Sequence, residues 1–102
     1  MKNPVQNQSL EYNDNRISLY VGQRGRCFIT GEKLKISDME VHHKTMRSEG
    51  GTDAYKNLVF VTGAVHKLIH TKEVETIEKY LELLKRKSID FVKLNNLRRL
   101  VG

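Results

Sequence analysis

The sequence predicts one small α+β domain, and three observations carry that expectation. A pair of β-prone segments brackets a Gly-rich loop, the hydrophobic pattern then switches from period two to a helical period, and two further helical stripes close the chain. With 102 residues the chain is one domain's worth of polypeptide.

Residues 1–14 are rich in Asn and Gln, have no apolar period, and are expected to form a flexible lead-in to a single domain over 15–102. Ile17, Tyr20 and Val21 then recur at i, i+3, i+4, which predicts a short helix capped by Asp14 or Asn15 and stopped at Gly25. From Cys27 to Leu34 a β-prone triplet runs into Thr30-Gly31 and out again, the pattern of a tight knuckle or hairpin.

Residues 39–44 are expected as a strand, 47–56 as a loop and 58–61 as a second strand. Val65, Leu68 and Ile69 make the apolar face of a helix whose opposite face carries His66 and His70. These segments form a core over 27–70. The C-terminal part, 72–101, is expected as two helices packed as a hairpin over the sheet. Val74, Ile77, Leu81 and Leu84 form the stripe of the first, and Phe91, Leu94, Leu97 and Val101 that of the second, with Ser88 as its cap.

Composition narrows the function. A net charge of +6 and a pI near 9.6 favour a polyanionic partner, nucleic acid first and an anionic membrane surface second. No run of about 18 apolar residues is present, and the polar N-terminus lacks the apolar segment of a signal peptide, so no membrane partner and a cytoplasmic location are expected. The single cysteine, Cys27, excludes an intrachain disulfide and an all-thiolate zinc site; a metal would have to be held by imidazole.

All four histidines fall between residues 42 and 70. His66 and His70 lie one helical turn apart, about 6 Å, within reach of a common divalent ion. His42 and His43 are neighbours on a strand and point to opposite faces, so they do not easily serve one ligand sphere. That suggests a division of labour: one imidazole on the metal, one free to take a proton. Solvated or structurally hydrogen-bonded histidines are the plainer reading of the same pair.

Glu40-Val-His-His-Lys44, the Gly50-Gly51-Thr52-Asp53 loop, Asn57-Leu-Val-Phe and His66-Lys-Leu-Ile-His70 resemble, in order and spacing, the successive blocks of the HNH (ββα-metal) endonucleases. The likeness is greatest to the C-terminal HNH domain of group II intron-encoded reverse transcriptase/maturases, and it covers residues 12–71. The resemblance implies a metal-dependent DNA endonuclease. His42, His66 and His70 would be the metal ligands, His43 the general base, and Asn57 the residue that fastens the loop and orients that base. The implied cofactor is one divalent ion, magnesium first, with manganese, zinc or nickel as alternatives. The implied products carry 5′-phosphate and 3′-hydroxyl ends. Many such domains also hold a structural zinc on two Cys-x-x-Cys pairs; Cys27, Thr30, Thr62 and Val65 stand at those positions here, so no structural zinc is expected.

Lys44, Arg47 and Lys67 lie nearest the histidines in sequence and are expected to touch the DNA backbone. From residue 85 onward six basic residues face one acidic residue, and Lys85, Arg86, Lys87, Arg98 and Arg99 are candidate phosphate contacts, a solvated helical surface being the plainer reading. The expected partner is DNA, with an intron ribonucleoprotein supplying target choice and the isolated domain monomeric. Two other readings compete: an HNH-fold nucleic-acid-binding module without catalysis, and a small protein that stores or senses zinc or nickel.

Overall fold

A computed structural model describes residues 10–101. It is an α+β arrangement of four helices and one two-stranded antiparallel sheet: α1 (Leu10–Gly22), β1 (Glu40–His43), β2 (Leu58–Val61), α2 (Gly63–His70), α3 (Val74–Leu83) and α4 (Phe91–Val101). The expected lead-in lies partly outside the described residues, over 1–9. Its remainder belongs to α1, which starts at Leu10 and so runs through the proposed caps Asp14 and Asn15.

The two strands pair in the register Glu40↔Val61, Val41↔Phe60, His42↔Val59 and His43↔Leu58. An isolated hairpin of this length is marginal in water, and the free edge of β2 is covered here from the N-terminal side. The Gln23 side chain donates to Phe60 O at 3.0 Å and accepts from Phe60 N at 2.9 Å, while Phe28 N donates to Phe60 O at 3.0 Å. Gln23 thus substitutes for a third strand, and with α1 against one side and α2 following the other end, all four β2 residues are buried.

Residues 26–33 form the expected knuckle. Gly31 N donates to Cys27 O, Cys27 N donates to Glu32 O, and Gly31 takes φ 73°, a left-handed conformation that suits glycine. Cys27 is buried among apolar residues of the core. Thr30 Oγ1 bonds Glu32, and Thr62 Oγ1 caps α2 by accepting from Val65 N, so both hydroxyls have hydrogen-bonding roles here.

Three sequence expectations are corrected. In α1 the stripe Ile17/Val21 faces out, at 67% and 69% exposure, and Leu19 is the residue that enters the core. Tyr20 lies between, edge-on to Phe60. The C-terminal helices do not form a hairpin laid over the sheet: α3 and α4 both pack chiefly against α2. The cap of α4 is Asp90, whose Oδ1 accepts from Lys93 N at 3.1 Å, rather than Ser88; its backbone N is tied to Ile29 O at 3.0 Å. Leu84, Leu94 and Leu97 supply the buried side of these helices, whereas Val74 and Phe91, the first residues of α3 and α4, stay exposed.

Candidate metal centre

His42 is brought to the site by strand alternation. Its neighbours Val41 and His43 are half-buried, while His42 itself is 1% exposed and turned toward α2. From α2, whose Val65, Leu68 and Ile69 are pinned in the core, His66 and His70 project one turn apart. The three rings meet edge to face, with centroids 5.3 Å apart for His42–His66, 5.0 Å for His42–His70 and 4.9 Å for His66–His70. Each offers a ring nitrogen within 4.8 Å of the others, close enough to hold one metal ion.

The fit is supported by an unsatisfied atom. His42 Nε2 is buried without a hydrogen-bond partner among the described residues, a costly state for a polar atom that coordination would relieve. Burial, helped by the neighbouring His66, His70 and His43 charges, drives the His42 pKa down to about 3; burial followed by His66 and Lys67 lowers that of His70. Both are therefore neutral near pH 7, the state in which imidazole coordinates metal. His66 Nδ1 lies 2.6 Å from Glu40 Oε1. The carboxylate fixes the ring hydrogen on Nδ1 and leaves Nε2 as the donor, an arrangement typical of metal-bound histidine.

His43 opens onto the same shallow cleft of about 320 Å³, which Val41, His42, Met46, Arg47, Ser48, His66 and His70 also line. Its Nε2 is 2.9 Å from Asp53 Oδ1, and its ring stacks on Tyr12 with centroids 6.0 Å apart and planes 6° apart. The Asn57 side chain makes no hydrogen bond to His43. Its Oδ1 accepts from Thr45 N at 2.8 Å and its Nδ2 donates to Thr45 O at 3.1 Å and Thr52 O at 2.7 Å, so it ties the two ends of the loop between the strands. Gly51 lets that loop close, since a Cβ there would sit 1.7 Å from Thr45 O. Asn57 thus fastens the loop, while the side-chain hydrogen bond to the His43 ring comes from Asp53.

The basic residues divide. Lys44 and Lys93 both place their ammonium groups over Phe28, 5.8 and 4.5 Å from its centroid, and Lys67 is exposed on α2. Arg47 is bound to Asp53 Oδ1 at 2.9 Å. In the tail Lys85 pairs locally with Glu82, whereas Lys87 pairs with Glu32 and Arg98 donates to Leu68 O, which tie the tail to the knuckle and to α2. Arg86 and Arg99 are exposed. Among the described residues no helix is long and apolar enough to cross a membrane.

Fold and site together define a small α+β protein with a three-histidine candidate metal centre and a fourth histidine, carboxylate-held, at its edge. Compared with models of protein families, with curated proteins and with solved structures, the chain matches none.

Proposed function

We propose that this chain is a metal-dependent DNA endonuclease domain of the HNH (ββα-metal) type, and specifically the HNH domain of a group II intron reverse transcriptase/maturase. The observation that carries the reading is the separation of the four histidines: His42, His66 and His70 converge on one point, while His43 shares their cleft but is bound to Asp53. A store or sensor of metal would have no use for that fourth, separately held imidazole.

When bound, a divalent ion on His42, His66 and His70 would supply positive charge for the scissile phosphate and the departing 3′ oxygen, undiminished because neutral imidazoles leave the ion its full charge. His43 takes the proton of the attacking water. The new bond forms between the water oxygen and phosphorus, the bond from phosphorus to the 3′ oxygen breaks, and that oxygen leaves as a hydroxyl after taking a proton from solvent. Asn57 holds the loop that carries Asp53 to this edge of the cleft. Lys44, one residue beyond His43, Lys67 on α2 and the exposed Arg86 and Arg99 would meet backbone phosphates, a reading supported by their charge and by the exposure of Lys67, Arg86 and Arg99.

The test is nicking of supercoiled plasmid with magnesium or manganese, with chelator and His43→Ala as controls. Metal-dependent nicking lost in the variant is expected. Gel-shift binding without nicking under any divalent ion would replace this reading with a nucleic-acid-binding module, and tight metal uptake with neither would point to storage or sensing.

A further inference from the structure

His43 is restrained from two directions. Its Nε2 meets Asp53 Oδ1 at 2.9 Å, and Tyr12 lies parallel to its ring. A carboxylate only accepts, so Nε2 carries the ring hydrogen and Nδ1 keeps the lone pair. Asp53 is itself pinned: Arg47 donates to the same Oδ1 through Nε at 3.3 Å and a terminal nitrogen at 2.9 Å, and Asn15 Nδ2 on α1 donates to the Asp53 backbone oxygen at 2.9 Å. The Arg47 guanidinium also lies 5.4 Å from the Tyr12 centroid, which closes a circuit of four side chains, His43, Asp53, Arg47 and Tyr12. The His43 bond and the Arg47 charge hold the Asp53 carboxyl below its ordinary pKa, consistent with a permanently ionised acceptor.

We infer that Asp53 is the positioning residue of His43: it locks the ring with hydrogen on Nε2, so that Nδ1 is the atom that takes the proton from water, and Arg47 holds Asp53 rather than the substrate. This rests on the endonuclease reading of His43 given above. A surface ion pair without such a role would leave its partners free to reorient. Here both side chains are less than a fifth exposed, and the backbone of one is tied to a separate helix. Ring hydrogen placement decides whether a histidine can act as a base toward a given side, so a residue that fixes it acts on turnover and leaves substrate affinity alone.

Two measurements test it. Long-range proton–nitrogen correlation spectra of the His43 ring, recorded under mildly alkaline conditions, should show hydrogen on Nε2 in the unsubstituted protein and a mixture of ring forms in Asp53→Ala. Asp53→Asn should keep the Nε2 form, because its amide oxygen can still accept from the ring and from Arg47. In plasmid nicking, Asp53→Ala should lower kcat about 10²-fold with KM and metal affinity unchanged, and Asp53→Asn should lower it less. Identical ring forms in the unsubstituted protein and Asp53→Ala would overturn the inference, as would unchanged kcat in Asp53→Ala. Absence of nicking by the unsubstituted protein with every divalent ion would overturn the endonuclease reading alone, and the ring spectra would then decide the positioning role by themselves.

Discussion

Glu40 Oε1 and His66 Nδ1 are 2.6 Å apart across the gap between β1 and α2, so the strand that supplies one candidate ligand also sets the ring of another. Glu40 shares a strand face with His42 because they are two residues apart, and His66 reaches that face from the first turns of α2. The pair therefore couples the positions of His42 and His66.

The first prediction follows from that coupling. Glu40→Gln keeps the size of the side chain but presents an amide to Nδ1, and Glu40→Ala removes the partner. Because loss of such outer partners commonly costs about 10–100-fold in metal affinity, calorimetric titration with manganese or zinc should show weaker binding in both variants, with circular dichroism unchanged. Unaltered affinity in Glu40→Ala would mean that His66 is oriented by α2 alone.

His42 should show a conflict between stability and function. Its buried, unpartnered Nε2 costs free energy in the metal-free protein, and an apolar side chain of similar bulk removes that cost. His42→Leu is expected to melt no lower than the original protein in chelator, while the rise in Tm on adding a divalent ion disappears. A large destabilisation of the metal-free variant would show that His42 is held by contacts other than its packing in the core.

Acid should destabilise the metal-free protein earlier than carboxylate protonation would. His42 binds a proton at its ordinary value of 6.5 when unfolded but only near 3 when folded. Between these values the unfolded state holds more protons, so stability rises with pH there and is lost as pH falls below 6.5. The lowered His70 pKa acts in the same direction, and depression of Asp53 below its ordinary 3.8 extends the loss to lower pH. Each kcal/mol lost shifts the midpoint by about 4–8 °C in a domain of this size, so the Tm in chelator should drop measurably between neutral pH and pH 5. His42→Leu should flatten that slope.

Much of this site could be read in the chain because it rests on two short periodicities. The i, i+4 spacing of His66 and His70 and the alternation through His42 and His43 each determine a face once the element type is known, and the apolar run 58–61 and the i, i+3, i+4 pattern of Val65, Leu68 and Ile69 made those types plain. Strand alternation also carried the signal for Glu40, two residues before His42. Asp53 and Tyr12 had no such signal: one sits in an aperiodic loop, the other in a segment whose polar composition masks a helix, and only tertiary closure brings them to His43. Charge counting locates the basic tail but does not show that Lys87 meets Glu32 across the surface or that Arg98 donates to Leu68 O.

The last prediction separates the loop from the histidine it serves. Asn57 bonds both Thr45 and Thr52, and through them holds the loop that carries Asp53, yet makes no hydrogen bond to the His43 ring. Asn57→Ala leaves the half-buried Thr45 amide without its acceptor, a loss of about 1–3 kcal/mol, and frees the loop that Gly51 allows to fold back on Thr45. Nicking should then fall together with Tm, and hydrogen exchange should accelerate across 45–53 while α2 and the metal affinity of His42, His66 and His70 stay as they were. Asn57→Asp retains an acceptor for Thr45 N but loses the donor to Thr52 O, so it should fall between the two. Equal exchange rates in the loop of Asn57→Ala and the original protein would show that the strands, rather than Asn57, hold Asp53 in place.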